Sequence, residues 1–132
     1  MPEPLTEDEL AYLRGLLDFA RNGATDPLME AIAAGIPVDL ASGSGDTFLI
    51  LAAYHVQADT VAALLHRGAD TERVNDRGQT ALGAAVFRSA TEIVELLLAA
   101  GADPAGGGRT PWQIAEFFEL PAMTALLRRG RR

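Results

Sequence analysis

The chain has no cysteine, and its 11 basic residues are all arginine, so lysine is absent too. Without cysteine there are no disulfides, thiolate metal sites or cysteine nucleophiles. The lack of lysine, beside so much alanine and glycine, fits the codon bias of a GC-rich bacterium. Aromatic residues make up only 6% of the chain, with 1 Trp, 2 Tyr and 5 Phe, so each one is informative. No stretch approaches the roughly 18 uninterrupted apolar residues that cross a bilayer, and Met1 to Leu10 is acidic where a secretion signal would be basic. A cytoplasmic location is therefore expected, with no membrane partner.

What is present fits one folded domain: 132 residues, 48% hydrophobic and 22% charged. Formal net charge is -7. Residues 1–127 hold 7 arginines against all 18 acids, 7 − 18 = −11, because Arg128, Arg129, Arg131 and Arg132 crowd the tail. A field of that sign repels phosphate backbones and favours basic partners, so no nucleic-acid ligand is expected. The tail itself reads as a solubilising terminus.

The strongest signal is internal. Gly45, Thr47, Leu49, Ala52, Val61, Leu64, Leu65, Gly68, Ala69 and Asp70 recur 33 residues later as Gly78, Thr80, Leu82, Ala85, Val94, Leu97, Leu98, Gly101, Ala102 and Asp103. Ten identities across the 26 pairs from 45–70 against 78–103 exceed the roughly two or three that common-residue frequencies produce. Such a period signifies stacked units and a binding surface more than a reaction chamber. Thr47 and Thr80 stand where a hydroxyl caps a new helix. Asp26, Asp59 and Glu92, 33 apart, suit the start of a second helix. Leucines and valines at i, i+3, i+4 give that helix one buried stripe, and Gly35, Gly68 and Gly101 stop it. Gly43, Gly45, Asp76 and Gly78 give the links hairpin chemistry. Thr6 and Glu9 have capping-box spacing before a helix through about Arg21. The last unit restarts at Thr110-Pro111, its link shortened around Gly106 to Gly108. Those glycines read as flexibility, since no strand and no Lys-Ser/Thr pair supports a phosphate loop.

Gly-x-Thr-x-Leu with an alanine pair, then Val-x-x-Leu-Leu and Gly-Ala-Asp, resembles the ankyrin repeat. Arg109-Thr110-Pro111-Trp112 and Ala115 keep part of the pattern. The resemblance implies an all-α solenoid of about four helix-turn-helix units joined by hairpin-like links, with degenerate terminal units. The units fall at about 5–40, 41–73, 74–105 and 106–130 of one domain spanning 1–132, with 131–132 as basic tail. Departures are specific: Phe48 and Ala81 replace the family's proline, and Ile50 and Gly83 replace its histidine. The family's polar tie between links is then missing from both central units, cohesion should rest on apolar packing, and Gly83 should make the third unit the softest.

The resemblance also places partner contacts on a concave face. Its link tips are Ser44 and Asp46, Arg77 and Gln79, then Arg109. Its helix ends are Arg21 and Asn22, Tyr54 and His55, Phe87 and Arg88, Phe117 and Phe118. Tyr54, Phe87 and Phe117 occupy equivalent places, so they form either an exposed aromatic ladder, an interaction hot spot beside arginine, or a cover over the core. Trp112, at the place of Leu49 and Leu82, is expected in the core. His66 suits a helix C-terminus.

The implied function is a non-catalytic adaptor or inhibitor, a monomer without cofactor or metal, whose acidic, aromatic-lined face takes a protein with a basic-rimmed apolar patch. An immunity or antitoxin-type factor masking a basic enzyme is the alternative. A hydrolase using His55 is a remote third.

Overall fold

The computed structural model describes residues 4–130. They form eight helices: α1 Glu7–Asn22, α2 Thr25–Ala33, α3 Phe48–Tyr54, α4 Ala58–His66, α5 Ala81–Phe87, α6 Thr91–Ala99, α7 Pro111–Phe117 and α8 Pro121–Gly130. Successive helices pair within a unit, while α1, α3, α5 and α7 pack side by side as an inner row and α2, α4, α6 and α8 as an outer one. The sole strand-like feature among the described residues is one antiparallel bridge, Ala41 with Thr47. The chain is an all-α solenoid. Arg131 and Arg132, the expected basic tail, lie outside the described residues, as do Met1, Pro2 and Glu3.

The helix starts follow from hydroxyl caps. Thr47 accepts the Ile50 amide and Thr80 the Gly83 amide, both at 3.1 Å. Thr6 and Glu9 close a full capping box, as do Thr110 and Gln113. The Glu9 carboxyl lies below its ordinary pKa because the Thr6 backbone N–H, then the Thr6 hydroxyl, favour its charged form. Each second helix in the first three units ends at a left-handed glycine: Gly35, Gly68 and Gly101.

The core runs unbroken through the stack. Ala52, Ala53, Ala84 and Ala85 are wholly buried and allow the inner helices to approach, while Leu28, Val61, Leu64, Val94, Leu97 and Leu127 fill the seam with the outer row. Phe48 and Ile50, at the places of the family's proline and histidine, are both buried. Trp112 is only half-buried, packed against the core edge.

The expected lack of a polar tie between units is corrected. Buried Asn75 donates from Nδ2 to Asp46 Oδ1 at 2.8 Å across the two central links. The Asp76 amide donates to the Ser44 carbonyl, and both Gly108 and Arg109 amides donate to the Gly78 carbonyl. On the outer side Asp39 accepts the Asp70 amide at 2.8 Å, and the Thr25 and Thr60 hydroxyls share a bond at 2.7 Å. The polar tie has moved to other residues.

The Gly106–Gly108 run is likewise more than slack. A Cβ on Gly107 would stand 2.9 Å from the Gly78 oxygen, so glycine there lets the shortened link dock on the preceding hairpin. Gly83 too is a contact point: the Ile114 side chain of the fourth unit closes to 3.2 Å from where a Cβ would sit.

Candidate functional site

Within each of the two central links one side chain shapes the tip. Ser42 Oγ accepts the Ser44 and Asp46 amides, and Asn75 Oδ1, 33 residues on, accepts the Arg77 and Gln79 amides at 3.0 Å. These bonds, with left-handed Gly45 and Gly78, fold each link into a tight hairpin. The tips lead directly into the N-caps Thr47, Thr80 and Thr110 of the inner helices, whose other ends carry Tyr54, Phe87 and Phe117. Together they form one surface, hereafter the link face.

Each inner helix closes through a left-handed residue that starts the turn into its outer partner: Gly23, Val56, Ser89 and Glu119, with φ of 72°, 60°, 52° and 52°. Three of the four are not glycine. Val56 is β-branched and 44% exposed, so this backbone geometry is strained there.

Just before those turns stand the aromatic residues. The Tyr54 and Phe87 rings stack nearly parallel, 10° between planes and 6.1 Å between centroids. Phe118 meets Phe87 edge-on at 5.2 Å, and Phe117 meets Phe118 at 4.9 Å. The third rung is therefore Phe118 rather than Phe117, a correction with a clear cause. In the third and fourth units the residue after the last inner-helix position leans back on the preceding unit. Arg88 does this to Tyr54, donating Nη1–H to its carbonyl at 2.8 Å and placing its guanidinium 5.3 Å from the ring centroid. Phe118, at the place of Arg88, does the same to Phe87. The row lies on the surface: Phe87 is 40%, Phe118 47% and Phe117 79% exposed, with Tyr54 half-buried.

A cleft of about 200 Å³ opens beside the row, lined by Arg21, Asp46, Ile50, Leu51, Tyr54, His55, Arg77 and Gln79. A second depression of about 400 Å³ lies between Arg109, Gly108, Gln113, Ile114, Phe117 and Phe118. The His55 imidazole has its pKa held below the ordinary histidine value, first by partial burial and then by the charges of Arg21 and Arg88.

The anticipated residues thus divide. Ser44, Asp46 and Gln79 build the hairpins: the Ser44 hydroxyl bonds Ser42 and Asp46, Asp46 is tied to Asn75, and the Gln79 Oε1 accepts from Asn75 at 3.2 Å. Tyr54, His55, Arg77, Phe87, Arg88, Arg109, Phe117 and Phe118 present surface. Arg21 joins them in the cleft, with one nitrogen 2.6 Å from Asp18. Asn75 and Val56 escaped the sequence reading; a polar residue 33 after Ser42 was the one available signal for Asn75, and nothing in its residue type marks Val56 as left-handed.

Among the described residues no hydrogen bond joins His55 to Ser44 or Asp46, and no three His, Asp or Glu side chains are placed to hold a metal. None of the described helices is long and apolar enough to cross a membrane. The acids are spread over both sides: Asp26, Glu30, Asp59, Glu92 and Glu95 are exposed on the outer helices, and Asp18, Asp76, Glu116 and Glu119 on the inner helices, links and turns, while the cleft lining itself holds Arg21 and Arg77 with Asp46.

Comparison with known proteins agrees with this architecture. A family model for ankyrin repeats, in three copies, matches residues 16–107. The chain is 32% identical over 111 residues to the E3 ubiquitin-protein ligase KEG of Arabidopsis thaliana, covering 74% of this chain and 7% of that protein. It is 39% identical over 61 residues to an ankyrin repeat protein of Pseudomonas aeruginosa, 46% of this chain and 36% of the relative. A third relative, an ankyrin repeat-containing protein of Treponema pallidum, is 38% identical over 85 residues, 64% of this chain and 28% of its own length. The chain thus spans well under half of each curated relative. Repeat period, threonine caps, glycine stops, paired helices and a family match over more than half the residues all agree, and the chain belongs to the ankyrin-repeat family, whose repeats are generally protein–protein interaction modules.

Proposed function

We propose that this chain is a non-catalytic adaptor or inhibitor, acting as a cytoplasmic monomer, that captures a partner protein on its link face. The observation that carries the reading is the aromatic row. Tyr54, Phe87, Phe118 and Phe117 touch one another yet stay at the surface, with Arg88 laid across the first ring. Aromatic and arginine side chains supply most hot spots in protein interfaces because they bury large rigid areas at small entropic cost. Rings that served only the fold would gain by turning inward, at about 25 cal/mol for each Å² of apolar area removed from water.

The test is capture from a lysate of the source cell by the tagged protein and by its Tyr54→Ala, Phe87→Ala, Phe118→Ala triple variant. Tyr12→Ala and Val74→Ala, exposed apolar positions off the row, serve as controls. The proposal expects the same partner to be held by wild type and controls and lost by the triple variant, whose helical circular dichroism is retained. Undiminished capture by a folded triple variant would contradict it.

A further inference from the structure

The chemistry of the partner can be narrowed if the link face is the docking surface, on which this inference rests. A net charge of -7 suggests a basic partner for the molecule as a whole, but a bound segment meets the local field. Arg21 and Arg77 line one cleft with Tyr54 and His55, and Arg21 also pairs with exposed Asp18 on its own helix at 2.6 Å. Arg88 crosses the Tyr54 ring and donates to a neutral carbonyl, so its charge has no carboxylate partner among the described residues. Arg109 stands by the next depression beside Phe117 and Phe118, with no ion pair among the described residues. The one acid in the cleft, Asp46, already accepts from Asn75 at 2.8 Å and lies 3.9 Å from Arg77. Acids of the outer helices keep polyanions such as nucleic acid away, which single carboxylates on a peptide withstand more easily.

Spacing adds a second constraint. Tyr54 and Phe87 centroids are 6.1 Å apart, close to the roughly 6.6 Å between side chains i and i+2 on one face of an extended chain. Alternate side chains of an extended segment would then fall on successive rings. We infer that the link face receives an extended acidic segment of a partner protein, its alternate apolar side chains on Tyr54, Phe87 and Phe118 and a flanking carboxylate held in the cleft by Arg21 and Arg77. Arginine can meet a carboxylate through two parallel bonds, which gives direction as well as affinity. A docked carboxylate also changes the surroundings of His55, which lies in the field of Arg21 and Arg88, shares its cleft with Arg77 and Asp46, and has a further acid, Asp18, paired to Arg21. It favours the imidazolium, so the His55 titration should move upward on binding.

Three capped peptides test this by NMR titration: Leu-Ser-Leu-Ser-Leu flanked on both sides by two glutamates, by two glutamines, or by two lysines. The expected result is that the glutamate peptide shifts Tyr54, His55, Phe87 and Phe118 and binds about tenfold or more tighter than the glutamine peptide, the scale of one charge-assisted hydrogen bond. That advantage should vanish in the R21Q/R77Q protein, which keeps the wild-type spectrum elsewhere, and the His55 titration should rise only with glutamate. Equal binding of the glutamate and glutamine peptides, or no saturable shift with any peptide, overturns the inference. Tightest binding by the lysine peptide at the same residues overturns it while leaving the link face as the docking surface. Shifts confined to the outer helices overturn both. Concentration-dependent shifts of the row without peptide would make a second copy the occupant and overturn it too.

Discussion

In the second unit the inner helix carries Phe48, Ile50 and Leu51, where the third carries Ala81, Gly83 and Ala84, and all six are buried. One frame therefore accommodates very different volumes. The small helix is completed from outside: Ile114 of the fourth unit closes on Gly83. The links show the same division, Ser42 shaping its own tip and Asn75 shaping its tip while also reaching Asp46 of the neighbour. A unit here is not self-sufficient, and packing and polar ties are properties of the joints between units, as expected of a stack in which each repeat buries its faces on its neighbours.

Making the second unit resemble the third should have the largest effect. Phe48→Ala empties a site with no exposed area and should cost about 3 to 5 kcal/mol in urea unfolding. The reverse exchange, Gly83→Ile, forces a side chain into the space of Ile114, and should lower stability by about 1 to 3 kcal/mol through overpacking. A loss much above that for Gly83→Ile, or none for Phe48→Ala, would break the picture of shared volume. Asn75→Ser gives the second link the chemistry of the first: the tip amides keep an acceptor, but Asp46 loses its donor. We expect a loss of about 1 to 2 kcal/mol, with faster hydrogen exchange in both central links.

Smaller effects follow from the turns. Val56→Gly copies Gly23 and should stabilise the chain by about 0.5 to 1 kcal/mol, as relief of the left-handed strain outweighs the added freedom of the unfolded chain. The same exchange at an αR position would destabilise, so the sign of the change is the test. His55, where the third unit has Arg88, gives the gentlest probe. Its folded pKa lies below the ordinary value, so between the two values the unfolded chain binds more protons. Stability should rise with pH across the window below about 6.5 and flatten above it. His55→Gln should remove that slope.

Much of this was legible in the residues. The 33-residue register, the capping threonines, Glu9 of the capping box and the glycine stops each depend on a residue type that suits one backbone geometry, so the letter reveals the shape. Val56, Ser89 and Glu119 adopt a left-handed turn without the usual residue, because the helices on either side impose it; their letters carry no trace of it. Asn75 was hidden for a related reason, since its value lies in a partner 29 positions away rather than in its own turn. Phe118 took the place given to Phe117 because equivalent sequence positions need not be the ones that touch across a joint. The two arginines of the cleft were obscured by the net charge, a sum that cannot say where each charge lies.

The most direct test of the account is hydrogen–deuterium exchange on the complex with whichever partner the wild-type protein captures. The account predicts new protection concentrated at residues 44–46, 54–56, 77–79, 87–89 and 117–119, with the outer helices α2, α4 and α6 unchanged. Protection confined to those outer helices, with the aromatic row exchanging as in the free protein, would contradict it.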